Sequence, residues 1–152
     1  GDVYKRQVED GYIETLGDTN CLLIELPFHN KIIGLLDIIS EIKSAGYLPI
    51  IAHPERYTYF QDDYSLVDEL RGEKVLFQCN YTSIIGRYGD SAEKLLKYML
   101  KHRYVDYLGT DLHRVDRTTL IDNWKKIDKL FNKVAGKDYY EKIKRNCDFL
   151  VS

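Results

Sequence analysis

The sequence lacks the marks of several protein classes. Its 152 residues include three cysteines, Cys21, Cys79 and Cys147, which are widely spaced and odd in number. A disulfide framework is therefore not expected, and a reducing, cytoplasmic location fits best. No apolar run approaches the roughly 20 residues that span a bilayer, and the first residues lack the apolar core of a secretion signal. A net charge of −2 leaves no strongly basic surface for nucleic acid.

Familiar motifs of phosphate and nucleophile chemistry are missing too. The sequence has no Gly-x-Ser-x-Gly elbow, no Walker loop and no Gly-x-Gly-x-x-Gly turn. A cysteine phosphatase needs an arginine six residues after its cysteine, and those positions hold Pro27 after Cys21 and Ile85 after Cys79. If phosphate chemistry takes place here, we expect it to use a hydroxide activated by a metal ion.

What the sequence does contain is the pattern of an α/β protein. Short apolar runs alternate with longer amphipathic stretches, which predicts four strands, each followed by a helix, with parallel pairing. The predicted strands cover residues 21–26, 47–52, 75–80 and 104–109. The predicted helices cover residues 32–45, 62–70, 90–102, 119–134 and 138–150.

Polar residues gather where these strands are predicted to end. Glu25 lies near the end of the first, His53 follows the second, and Asp111 and His113 follow the fourth. Because parallel α/β sheets bind ligands beyond the carboxyl ends of their strands, these residues predict one site. A carboxylate and an imidazole two positions apart suit manganese, zinc or iron, although an isolated Asp-x-His is also an ordinary surface loop.

The surroundings of His53 add to this prediction. Pro54 favours an extended conformation for the residue before it, which would fix the direction of the imidazole. Arg56 offers a fork for a phosphate or carboxylate. Glu25, in an otherwise apolar strand, needs a cation, either a metal or a salt-bridge partner. A structural histidine is the alternative for His53 and for His29.

Three segments together resemble one protein family. They are residues 23–27 (LIELP), 49–57 (PIIAHPERY) and 109–113 (GTDLH). In this order and spacing they are similar to the bacterial manganese-dependent tyrosine-protein phosphatases of the polymerase and histidinol phosphatase superfamily. These are the CpsB/YwqE-type regulators of capsular and exopolysaccharide synthesis. The resemblance covers about residues 11–150.

The resemblance implies a distorted TIM-like β/α barrel of seven strands. This chain would form about four of its βα units in residues 11–152, after a non-native or disordered leader in residues 1–10. It also implies up to three metal ions, with manganese expected first and iron, zinc or magnesium as alternatives. The implied reaction is hydrolysis of phosphotyrosine on a tyrosine autokinase of polysaccharide export.

The resemblance also implies roles for individual residues. Four positions correspond to metal ligands, namely Glu25, His53, Asp111 and His113. Arg56 corresponds to a phosphate-binding residue, and either Asp111 or His113 would also take a proton role. A second phosphate arginine is expected after the Asp-x-His loop, where Arg117 is the nearest match and Arg114 the rival. Nearby tyrosines such as Tyr57 and Tyr59 would either line the phosphotyrosine pocket or pack inside the fold.

The sequence departs from the family pattern upstream of Glu25. The family has a His-x-His strand and further ligands there, whereas this chain has no histidine before His29. We therefore expect the chain alone to be an inactive or very weak, poorly stable part of a barrel, with an exposed first strand that favours self-association. Two alternatives are another phosphoesterase of the superfamily, such as a histidinol phosphatase, and a non-catalytic phosphotyrosine-binding module.

Overall fold

The computed structural model describes residues 4–110 and 114–151, and these residues form an α/β fold of five strands and eight helices. The strands are β1 Tyr12–Thr15, β2 Cys21–Glu25, β3 Leu48–Ala52, β4 Leu76–Asn80 and β5 Tyr107–Gly109. The helices are α1 Tyr4–Asp10, α2 Leu35–Ser44, α3 Thr58–Asp62, α4 Ser65–Gly72, α5 Asp90–Lys101, α6 Arg114–Asp122, α7 Trp124–Ala135 and α8 Lys137–Val151. None of the helices in the described ranges is long and apolar enough to cross a membrane.

The strands form one mixed sheet in the order β1-β2-β3-β4-β5. All four strands predicted from the apolar runs are present, which confirms the α/β class. Strands β2 and β3 are parallel, with Ile24 opposite Ile51, and β4 and β5 are parallel as well. Strand β1 instead runs antiparallel to β2, with Tyr12 opposite Glu25.

Strand β1 corrects the expectation that β2 would be an exposed sheet edge. It pairs with β2 along its whole length, so β2 has a partner on both sides. Tyr12 and Glu14 on β1 are exposed, which makes the actual edge short and polar and a poor template for self-association. The sequence pattern does not predict β1, because its four residues alternate only weakly between apolar and polar.

The chain divides into two compact units, Gly1–Phe77 and Gln78–Ser152. Each unit has its own apolar core, because its helices turn residues three and four positions apart toward the inside. The core of the first unit includes Ile24, Ile39, Ile42, Ile50, Ile51 and Phe60. The core of the second unit includes Leu95, Leu96, Met99, Ile127, Phe131 and Tyr140.

Helix α1 differs from the other helices because its backbone is left-handed. Every residue of Tyr4–Asp10 has a positive φ, between 37° and 67°. Val8 is buried, and Lys5 Nζ donates a hydrogen bond to the Ile33 carbonyl at 3.2 Å.

Candidate functional site

Two neighbouring strands of the first unit end in polar side chains that contact each other. Glu25 is the last residue of β2, and His53 directly follows β3. Since the strands are parallel and adjacent, these positions lie at the same end, with Glu25 Oε1 3.3 Å from His53 Nε2. The His53 side chain is 6% exposed and that of Glu25 42% exposed, so the pair joins a buried imidazole to a carboxylate open to solvent.

The electrostatics of the pair favour an ionised carboxylate. The hydrogen bond from His53 lowers the pKa of Glu25, partial burial opposes this shift, and the charges of His53 and Arg56 add to it. The second ring nitrogen, His53 Nδ1, is buried and has no hydrogen-bond partner among the residues that the structure describes. Because a neutral imidazole carries one N–H and one lone pair, this ring retains capacity for a further ligand or donor.

The backbone of His53 is left-handed, with φ 36° and ψ 56°, which corrects the prediction that Pro54 holds it extended. A 3-10 turn begins at Pro54, and the Arg56 N–H donates to the His53 carbonyl at 3.0 Å. The chain therefore turns immediately after β3, and the left-handed backbone that starts this turn is that of His53. Left-handed backbone is unfavourable for a residue with a Cβ, and such strain is concentrated at functional sites.

Phe28 contacts both His53 and Arg56. Its ring is stacked on the His53 imidazole, with centroids 5.5 Å apart and an angle of 11° between the planes. The Arg56 guanidinium lies over the Phe28 ring, 4.7 Å from its centroid. Such a cation–π contact orients the planar fork of arginine without using its hydrogen-bond donors. Arg56 is thus held beside the Glu25–His53 pair.

Two tyrosines connect the loops that follow β2 and β3. The Tyr57 hydroxyl accepts a hydrogen bond from the Leu26 N–H at 2.9 Å and donates one to the Ala52 carbonyl at 2.8 Å. The Tyr59 hydroxyl donates to the Pro27 carbonyl at 2.6 Å. Both side chains are buried. Of the two alternatives for these tyrosines, packing inside the fold is therefore the one observed.

The second unit contains the other residues predicted for the site. Asp111 and His113 lie outside the described residues, so their arrangement stays a prediction. Arg114 and Arg117, the rival phosphate arginines, are both exposed on α6.

Sequence reasoning missed Asp116, which is 1% exposed in the first turn of α6. One of its carboxylate oxygens accepts hydrogen bonds from the Thr82 hydroxyl at 2.6 Å and the Tyr88 hydroxyl at 3.0 Å. An acidic residue in the first turn of a helix is common on solvated surfaces, so nothing in the local sequence distinguishes it.

The Glu25–His53 pair has a geometry suited to a metal ion. Two ligand atoms bound to the same first-row metal ion, each about 2.1 Å from it, lie about 3.0–3.4 Å from each other. The separation of Glu25 Oε1 and His53 Nε2, 3.3 Å, falls in this range, so an ion would fit in place of the proton that Nε2 donates, with Nδ1 then carrying the N–H, and both atoms suit a borderline divalent ion. Within the described ranges, no group of three or more His, Cys, Asp or Glu side chains comes together at a metal position. The pair thus fits part of a metal site.

A comparison with models of known protein families assigns this chain to one of them. A family model for capsular polysaccharide synthesis, CpsB/CapC, matches residues 2–150. The match covers nearly the whole sequence, so the chain belongs to the CpsB/CapC family.

Individual relatives agree with this assignment. CapC of Staphylococcus aureus is 28% identical over 136 residues, which are 90% of this chain and 51% of CapC. Tyrosine-protein phosphatase YwqE of Bacillus subtilis is 27% identical over 114 residues, which are 75% of this chain and 43% of YwqE. The chain therefore spans about half the length of the curated relatives it matches.

A solved structure shares the fold. It is one of the crystal structures of YwqE from Bacillus subtilis and CpsB from Streptococcus pneumoniae, which are described as unique metal-dependent tyrosine phosphatases. The match has a TM-score of 0.78 at 24% identity and covers 90% of this chain and 55% of that one. The chain therefore has the fold of about half of that solved structure.

Proposed function

We propose that this chain provides part of the active site of a metal-dependent protein-tyrosine phosphatase. The observation that carries the proposal is the contact between Glu25 and His53 at the ends of adjacent strands, with Arg56 held nearby. Support comes from the relatives YwqE and CpsB, which are named tyrosine-protein phosphatases. In this proposal the sheet is part of a TIM-like β/α barrel.

Glu25 and His53 would hold the metal together with Asp111 and His113. Manganese is the expected ion, because carboxylate and imidazole donors suit it, with iron, zinc and magnesium as rivals. Such an ion, when bound, supplies Lewis-acid stabilisation of a phosphoryl group and activation of a water molecule. The lowered pKa of Glu25 keeps its carboxylate ionised and ready to bind a cation.

Arg56 would bind the phosphoryl oxygens of the substrate. Its two parallel N–H groups match a phosphate, and Phe28 fixes the guanidinium plane before the substrate arrives. Charge that develops on the phosphoryl oxygens would then meet a cation already in position. Arg117, or its rival Arg114, would add a second cation. The proposed substrate is phosphotyrosine on a tyrosine autokinase of capsule synthesis.

Metal binding tests the ligand assignment directly. Titration of Mn²⁺ into the purified chain, followed by calorimetry, should show binding that Glu25→Gln and His53→Ala each weaken at least about tenfold. His29→Ala is the matched control, because His29 is exposed and its nearest polar contact is the Thr58 hydroxyl at 3.4 Å. Equal effects of His53→Ala and His29→Ala would overturn the assignment.

Substrate choice is tested in the protein that contains this chain. Phosphate release from a phosphotyrosine peptide should depend on Mn²⁺, and Arg56→Ala should lower kcat as well as raise KM, because Arg56 meets charge that develops in the transition state. Faster turnover of histidinol phosphate would favour a small-molecule phosphatase. Peptide binding that Arg56→Ala abolishes, without any turnover, would favour a non-catalytic binding module.

A further inference from the structure

The Tyr57 hydroxyl lies where the hydrogen-bond ladder between β2 and β3 ends. The paired register of the two strands runs from Cys21 opposite Leu48 to Ile24 opposite Ile51. Just beyond it, the hydroxyl accepts from the Leu26 N–H and donates to the Ala52 carbonyl. The two strand ends are therefore joined through one oxygen atom.

The residues that Tyr57 joins are sequence neighbours of the candidate ligands. Leu26 follows Glu25, and Ala52 precedes His53. A change in the separation of Leu26 and Ala52 would therefore move the two side chains relative to each other. The Tyr57 ring also contacts His53 itself, with centroids 5.5 Å apart.

Burial makes this connection durable. Tyr57 is 0% exposed, so its hydroxyl is shielded from solvent water that would compete for the Leu26 and Ala52 backbone groups. Burial also raises the pKa of Tyr57 well above 10.0, so the hydroxyl keeps its proton and remains both donor and acceptor.

From these contacts we infer that Tyr57 is a positioning residue, whose hydroxyl sets the separation of Glu25 and His53 by tying the ends of β2 and β3 together. The inference rests on the proposed function, because it matters for activity only if that pair binds metal. It assigns Tyr57 no contact with substrate.

The test compares Tyr57→Phe with Tyr59→Phe in the purified chain. The two tyrosines are stacked 5.7 Å apart, but the described contacts of the Tyr59 hydroxyl reach one carbonyl, that of Pro27, rather than joining two strands. Loss of a group that orients a ligand commonly costs 10–100-fold in metal affinity. We expect Tyr57→Phe to weaken Mn²⁺ binding by about that factor and Tyr59→Phe to leave it near the wild-type value.

Hydrogen exchange provides a readout that does not depend on metal. The Leu26 amide should be protected in the wild-type chain and should exchange at least about tenfold faster in Tyr57→Phe. The Thr58 amide, which donates to the Phe28 carbonyl at 3.0 Å, is the internal reference and should keep its protection. Rapid exchange of Leu26 in the wild type would overturn the inference even if Tyr57→Phe failed to fold.

The outcomes separate the two proposals. Absence of Mn²⁺ binding by the wild-type chain would count against the metal site, while the exchange of Leu26 would still decide whether Tyr57 joins the strands. Equal Mn²⁺ affinities in the wild type and in Tyr57→Phe, or equal losses in the two variants, would overturn the positioning role alone.

Discussion

Two carboxylates, one in each compact unit, show how differently the fold treats an acidic side chain. The side chain of Glu25 in the first unit is 42% exposed, and His53 Nε2 lies 3.3 Å from its Oε1. Asp116 in the second unit is 1% exposed and accepts hydrogen bonds from the hydroxyls of Thr82 and Tyr88. The first carboxylate remains accessible to an incoming cation, whereas the second is enclosed by the protein.

The difference separates binding groups from structural groups. A buried carboxylate must receive hydrogen bonds from the protein because water cannot reach it. A carboxylate left half open at a strand end keeps access to solvent, at some cost in stability, and can exchange that solvent for a ligand. We therefore expect substitutions of Asp116 to affect stability and substitutions of Glu25 to affect binding.

The largest expected loss of stability follows replacement of the enclosed carboxylate, Asp116. Asp116→Ala removes the acceptor of the buried Thr82 hydroxyl and of the half-buried Tyr88 hydroxyl, so the free energy of unfolding should fall by about 2–3 kcal/mol. Urea denaturation followed by circular dichroism measures this change. Asp122→Ala, an exposed position on the same helix, is the control and should stay within about 0.5 kcal/mol of the wild type. Similar losses in both variants would remove the distinction between the two carboxylates.

A smaller loss of stability is expected when a side chain is placed against the backbone of Glu25. A Cβ on Gly11 would overlap the Glu25 carbonyl oxygen, because the chain just before β1 lies close to the end of β2. Gly11→Ala should therefore cost about 1–3 kcal/mol, measured by the same denaturation experiment. Gly72→Ala is the matched control: nothing lies within 4 Å of its Cβ position, and alanine there should be neutral or slightly stabilising. A neutral Gly11→Ala would show that the backbone of Glu25 is not tightly held.

The smallest effect concerns acid stability. The pKa of Glu25 is lowered from 4.5, chiefly by the hydrogen bond from His53, so the unfolded chain binds its proton at higher pH than the folded chain does. The stabilisation is therefore present above pH 4.5 and is lost as the pH falls through the lower, folded pKa.

Thermal unfolding at several pH values measures that loss. Glu25→Gln should flatten the fall in Tm between about pH 5 and pH 3, because glutamine does not titrate. In a His53→Ala background the same substitution should have a smaller effect, since the chief cause of the shift is gone. An undiminished effect of Glu25→Gln in that background would show that His53 is not the cause.

Local patterns were sufficient for much of the fold and for the members of the site in the first unit. Apolar runs located β2, β3, β4 and β5, since burial on both faces of a sheet leaves a continuous signal in the sequence. Polar residues at the strand ends singled out Glu25 and His53, which the structure brings into contact. Strand β1 was missed because four residues at a polar edge give little pattern.

The sequence by itself determined four of the five described strands and the choice of candidate ligands, because both depend on residues that are neighbours along the chain. Only the tertiary structure decided how those ligands are held. The Tyr57 hydroxyl meets the Leu26 amide across 31 positions of sequence, and Thr82 meets Asp116 across 34. The left-handed backbone of His53 likewise occurs against the preference of a residue before proline. Such contacts arise when separate segments pack together, and that packing leaves no local signal in the sequence.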